Sequence, residues 1–239
     1  MQNLKKTVLC LILLAVSLQA EEIYATFTVE ASQHADLAFT SSGTVERVNV
    51  DVASVVKKGE ILAELNNADL KAALDIATVA RKYARRDYER QVKVKKLVDA
   101  SRFDTYAFKY ENSKAKVAYQ QALLDKTELK APFDGVIYAK SVEVGDVVSG
   151  AMVRTVMKIQ SLKKRKLLLA VDQKYWKVLK AGLTFRYHVD GDKRTYTGKI
   201  SKVYPYADNA NRKIRAEIEA ENFTPGLFGD GYILLPDAK

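Results

Sequence analysis

Three kinds of hydrophobic pattern divide the chain. Strict alternation marks strands: IYATFTVEA at 23–31, then Val48, Val50 and Val52, then Val142 and Val144 ahead of Gly145, Val147 and Val148. It returns late in the chain with Leu167, Leu169 and Val171, with Phe185, Tyr187 and Val189, and with Ile214, Ala216, Ile218 and Ala220. Between the first two of these late sets, DQKYWKVLKAG has a helical-turn pattern ending at Gly182, and DGDK at 190–193 reads as a hairpin turn. Short, evenly spaced strands of this kind predict a small barrel, with 23–31 completing it from the N-terminal side.

The second pattern is helical. All 11 Gly and all 4 Pro fall outside residues 60–131, and that interval is dense in Ala, Lys, Arg, Glu, Gln and Leu, the composition of long helix. VDASRFD at 98–104 is its one turn-like signal, where Asp99 or Ser101 caps a new helix with Asp104 in its first turn. Two antiparallel helices follow, about 67–98 and about 102–127. The second carries a heptad stripe of Phe103, Tyr106, Tyr110, Ser113, Val117, Gln120 and Leu124. In the first, Leu70, Leu74, Ala77, Ala84 and Tyr88 share one face, and Ala73, Ile76, Ala80, Tyr83, Val94 and Leu97 the adjoining one. Two apolar faces either serve the intramolecular pair alone or admit a neighbouring copy.

The third pattern is at the start: MQNLKK, then the apolar run TVLCLILLAVSL, then a small residue at Ala20. This is a Sec-type signal peptide over 1–20. The apolar run is shorter than the roughly 20 residues of a spanning helix, so cleavage is expected rather than anchorage. Cys10, the sole cysteine, follows Leu9 where a lipoprotein site wants a small residue, so no lipid anchor is expected, and the cleaved chain would hold no thiol. The formal charge of +10 includes Lys5 and Lys6 of the leader. Export argues against nucleic acid as its partner and leaves acidic protein surfaces, anionic headgroups or plain solvation.

The strands on either side of the helices look like a repeat, SGTVERV with FDGVIYA and VKKGEIL with VEVGDVV. Each half is too small to close a core, so the two are expected to pack together as one sandwich. Two such halves split by a helical hairpin resemble the periplasmic adaptors, or membrane fusion proteins, of bacterial tripartite efflux systems (HlyD-like family). The matching text is GTVERVNVDVASVVKKGEILAEL, TELKAPFDGVI and VEVGDVVSG, continuing in VDQKYWKVLKAG, YTGKISKVYP, NRKIRAEI and PGLFGD. The resemblance implies an α+β, mainly β chain: a split lipoyl/biotinyl-like β-sandwich with an inserted antiparallel α-helical hairpin, plus a small antiparallel β-barrel. Its parts are 1–20 signal peptide, 21–31 and 161–239 barrel, 32–66 and 128–160 lipoyl-like domain, and 67–127 hairpin. The sequence ends after GYILLPD, so no membrane-proximal fourth domain is expected.

A true biotin or lipoyl carrier presents its lysine on the turn that the hairpin here replaces. Lys158 of VMKI is expected in a strand instead. His34 and His188 lie in different β segments without a nucleophile motif, Asp134 before Gly135 fits a turn, and Met152 and Met157 are expected in core packing. No enzyme activity, metal or cofactor is expected. The family resemblance places an Arg, an apolar residue four later and a Ser seven after that around the hairpin tip. Arg90, Val94 and Ser101 have that spacing, Val standing where Leu is usual. It implies a periplasmic chain, held at the inner membrane by a transporter and assembled as a hexameric ring that meets a TolC-like outer-membrane channel; the lack of an expected lipid or transmembrane anchor is a departure from the longer family members. An RND-type transporter is the first expectation. An ABC-type exporter or type I secretion system comes next, and a metal-binding periplasmic chaperone for a cation pump is the remaining alternative.

Overall fold

The computed structural model describes residues 22–94 and 99–236. The expected signal peptide with Cys10, and Leu97 of the first helix, lie outside the described residues. The chain divides into two compact units: one from residues up to Ser32 together with those from Lys163 onward, the other Gln33–Leu162.

The first unit is a closed barrel of six strands in the order β1 (Glu22–Ala31), β10 (Lys164–Asp172), β13 (Lys213–Glu221), β12 (Tyr196–Asp208), β11 (Thr184–Val189) and β14 (Phe228–Leu234). β1 pairs with both β10 and β14 and closes the ring, which leaves no free sheet edge. The alternation read from the sequence is the burial pattern. Ile23, Ala25, Phe27 and Val29 face inward beside Leu167, Leu169, Val171, Phe185 and Ile218. Phe27 meets Phe185 and Tyr187 edge-on, with ring centroids 5.9 and 5.2 Å apart. Gly229 permits this packing, since a Cβ there would lie 2.1 Å from the His188 carbonyl oxygen and 2.5 Å from Phe27 Cζ. DGDK does turn β11 into β12, with Gly191 at φ 84°. The segment 173–182 forms only one 3-10 turn, Gln173–Tyr175, followed by further turns.

In the second unit two four-stranded sheets face each other. One has the order β2 (His34–Leu37), β9 (Met157–Ser161), β7 (Gly135–Lys140), β4 (Val55–Val56); the other β6 (Glu128–Lys130), β5 (Ile61–Leu65), β3 (Gly43–Val48), β8 (Val147–Val148). Each sheet therefore takes two strands from before the helices and two from after. The halves interleave rather than stack as layers. Val45, Leu62, Leu65, Ile137, Met157 and Ile159 fill the space between the sheets.

The register corrects one detail of the repeat. VKKGEIL does not match VEVGDVV, because Gly59 (φ 84°) turns β4 into β5 whereas Gly145 (φ 95°) turns β7 into β8. The equivalent of Gly145 is Ala53, itself left-handed at φ 71°. NVDVASVV (49–56) thus matches SVEVGDVV (141–148). The hydrogen bonds repeat with it. Ala53 N–H donates to the Ile137 carbonyl and Gly145 N–H to the Val45 carbonyl, at 2.8 and 2.9 Å; Ile137 N–H donates to Ser54 and Val45 N–H to Asp146, at 3.0 and 2.8 Å. A left-handed residue is required at this turn, and only one half fills it with glycine, so glycine was the wrong landmark for alignment.

Candidate functional site: the inserted hairpin

Between β5 and β6 the chain runs out along α1 (Ala68–Lys93) and back along α2 (Ala100–Asp125). With 26 residues each, the helices are about 40 Å long at ~1.5 Å per residue. The pairing follows the stripe read from the sequence. Phe103, Tyr106, Tyr110, Ser113, Val117 and Gln120 are half-buried and Leu124 is buried, while their α2 neighbours are mostly exposed. α1 answers with Leu70, Leu74, Ala77, Ala84 and Tyr88. Toward the outer end Tyr88 stacks on Tyr110 at 5.5 Å and leans on Phe103 at 5.7 Å. The buried core of the sandwich takes no residue from either helix among the described residues, so the pair stands on the sandwich as a rod.

A polar clamp fixes its base. Asn67, 1% exposed, precedes α1 but makes no side-chain cap. Its Nδ2 instead donates to Thr127 Oγ1 at 3.0 Å across the two chain crossings, and the Thr127 hydroxyl donates to the Leu124 carbonyl at 2.7 Å. Leu65 N–H reaches the Thr127 carbonyl at 2.9 Å. Glu64 is buried beside this clamp, receives Arg47 Nη2 at 2.8 Å from β3 and has Lys71 Nζ of α1 at 3.9 Å. Burial of these groups is tolerable because each has its partner.

At the outer end the structure brings the three expected tip residues to the ends of the two helices. Arg90 lies in the last turn of α1, exposed, with Nη2 paired to the Asp87 carboxylate. Val94 is the C-cap and is exposed. Ser101 lies in the first turn of α2, where its N–H donates to Asp99 Oδ1 at 2.8 Å. The cap is thus Asp99, which also accepts Arg102 N–H at 3.3 Å. Asp104 falls beyond the first turn, because the helix starts at Ala100. The Ser101 hydroxyl makes no hydrogen bond among the described residues. Ile76, Val79 and Tyr83 on the outer side of α1, and Phe108 and Tyr119 on that of α2, are large and half or more exposed.

The remaining candidates scatter. His34 is exposed on β2, and His188 in the barrel has Nε2 2.9 Å from Thr195 Oγ1. Asp134 Oδ1 accepts the Lys58 N–H at 2.7 Å and so ties the two halves together. Lys158 lies in β9 with Nζ 3.5 Å from Asp36. Met157 is core, but Met152 is 80% exposed, a correction to the expected packing, because it falls in the bend after β8 rather than in a strand. No helix among the described residues is long and apolar enough to cross a membrane.

A split barrel-sandwich with an inserted helical hairpin, preceded and followed in sequence by the strands of a closed barrel, defines the class of the membrane fusion proteins. The model of the CzcB-like, barrel-sandwich hybrid domain matches residues 33–158, and the chain belongs to that family. The crystal structure of a MacA–MexA chimeric protein, containing the Pseudomonas aeruginosa MexA α-hairpin domain, has the same fold. Its TM-score is 0.82 at 23% identity, over 92% of this chain and 84% of the chimera. Nodulation protein NolF of Rhizobium meliloti is 23% identical over 92% of this chain and 64% of its own length. An uncharacterized protein of Haemophilus influenzae is 24% identical over 90% and 58%. The chain therefore spans about three fifths of these curated relatives.

Proposed function

We propose that the protein is the periplasmic adaptor of a tripartite efflux system, linking an inner-membrane transporter to a TolC-like outer-membrane channel for export of small molecules. The observation that carries this reading is the rod: two paired helices, clamped at the base and, among the described residues, contributing nothing to the sandwich core. The tip residues Arg90, Val94 and Ser101 supply a guanidinium for charge-assisted bonds, an apolar knob and a free hydroxyl toward helices of the channel. The exposed apolar positions Ile76, Val79 and Tyr83 supply the lateral contacts of a six-membered ring. The transporter is of the RND type in this reading, with an ABC-type exporter behind it. Affinity purification of the full protein from detergent-solubilised cell envelopes tests it: an inner-membrane transporter and an outer-membrane channel should co-purify. Recovery of neither would count against the assignment.

A further inference from the structure

The barrel carries a feature that the hairpin-centred reading does not use. Its only Trp, at 176, is also the only one in the chain, and it is 65% exposed, followed by Val178 at 42%. Both belong to the segment KYWKVLK (174–180), which leaves β10 at Asp172. Leu179 of the same segment is buried in the barrel core and Val178 and Leu179 N–H groups both bond to the Tyr175 carbonyl at 3.0 Å, so the segment is held in shape. Trp176 borders a shallow groove with Lys174, Ala207 and Ile214. By strand register this lies at the end of the barrel opposite Ala31 and Lys164.

Cations outnumber carboxylates around the ring. Lys174, Lys177, Lys180 and Arg212 are exposed and Lys213 is half-buried. Arg212 is brought alongside by the bond from Gln173 N–H to its carbonyl at 3.1 Å. None of the five forms an ion pair among the described residues. Lys177 Nζ sits 5.5 Å from the Trp176 ring centre and Lys174 Nζ 4.9 Å from that of Tyr175. Of the carboxylates close by, Glu22 pairs with Arg186 at 2.8 Å, while Asp172 accepts Lys174 N–H at 3.0 Å and Asp208 accepts Ala210 N–H at 2.9 Å and Asn211 Nδ2 at 3.0 Å; these last two keep their charge, and the five cations outnumber them. An exposed indole within a ring of unpaired cations is the chemistry of a bilayer interface. The ring sits at headgroup depth, and each cation gains from anionic phosphate.

We propose that this end of the barrel docks on a membrane containing anionic lipid, with Trp176 entering the interface and Lys174, Lys177 and Lys180 engaging headgroup phosphates. A sole Trp makes the test specific to the residue. The full chain is mixed with phosphatidylethanolamine–phosphatidylglycerol vesicles or with phosphatidylcholine vesicles, and tryptophan emission is recorded, with brominated acyl chains as quencher. The expected result is a blue shift and quenching with the anionic vesicles alone, reversed by high salt. Lys174→Gln, Lys177→Gln and Lys180→Gln together keep the reporter and should raise the lipid concentration for half-maximal shift by about fivefold per lysine, on the order of 100-fold for all three. The apolar N-terminal run is common to both proteins, so any partition of its own cancels in that ratio. An emission that neither vesicle moves overturns the proposal and reassigns the face to a protein partner. A shift equal in the two vesicle types, or unchanged in the triple variant, overturns it as well. None of these outcomes depends on an efflux partner.

Discussion

Ala53→Gly should stabilise the sandwich, and the opposite exchange at the equivalent position, Gly145→Ala, should destabilise it. Both residues are left-handed, at φ 71° and 95°. An L-residue with a Cβ pays about 1–2 kcal/mol for that conformation, while glycine pays about 0.4–1 kcal/mol more backbone entropy on folding. The difference leaves a net gain of about 0.5–1 kcal/mol for Ala53→Gly and a loss of similar size for Gly145→Ala. No atom lies within 4 Å of a Cβ built at Gly145, so its loss is a backbone effect without a clash. The amides of Ile137 and Val45, bonded to Ser54 and Asp146 at 3.0 and 2.8 Å, report on the two turns by native-state hydrogen exchange. Exchange through opening of the sandwich should slow by about two- to fivefold in Ala53→Gly and quicken by a like factor in Gly145→Ala. Barrel amides such as that of Leu169 serve as the internal control. Faster exchange in Ala53→Gly would refute both the strain argument and the repeat register on which it rests.

Gly135→Ala puts a Cβ 2.4 Å from the Gln160 carbonyl oxygen and 2.9 Å from Ile159 Cγ1; because the first is backbone, β7 and β9 must part, at about 3 kcal/mol or more. Urea unfolding should show the sandwich lost first, and an unchanged midpoint would be a failure of the packing argument. Asn67→Ala removes the buried donor to Thr127 at the hairpin base and should cost about 1–3 kcal/mol, seen as faster hydrogen exchange in the first turn of α1 and the last of α2; protection equal to the parent protein would remove the clamp from the account. In the β11–β12 turn the Arg194 side chain, the Arg194 N–H and the Tyr196 hydroxyl hold the Asp192 carboxyl well below its ordinary 3.8. A depressed carboxylate stabilises the fold above its unfolded value and loses that contribution as pH falls through the folded one. Asp192→Asn should therefore weaken the turn at neutral pH and make progressively less difference in acid, and a carboxyl titration with its NMR midpoint at or above 3.8 would contradict the geometry.

Much of this fold is legible in the chain because burial imposes a period. Alternation placed β1, β10, β11 and β13, the 3-4 spacing from Phe103 to Leu124 placed the helix seam, and the interval free of Gly and Pro placed the insertion. What escaped is what periodicity does not encode. Interleaving of the two halves depends on which strands pair across the sequence gap, and a two-residue strand such as β4 or β8 carries no pattern of its own. The repeat register is hidden because Gly59 and Gly145 serve different turns while Ala53 takes the strained position. Asp99 outranked Ser101 as cap only through the geometry of two backbone N–H groups. The tip residues were legible by resemblance alone, since Arg90 and Ser101 are in isolation ordinary exposed polar residues. The Trp176 surface is not legible in the chain, because a helical-turn spacing does not say which side chains remain uncovered.

The most direct test of the bridging role is site-specific photo-crosslinking in living cells from position 101, with the captured protein identified by mass spectrometry and a probe at position 119 on the side of α2 as reference. The bridging account predicts an outer-membrane channel captured at 101, and a second copy of the same chain at 119. Capture of cytosolic proteins at 101, or of the chain itself at both positions with no envelope protein, would contradict it.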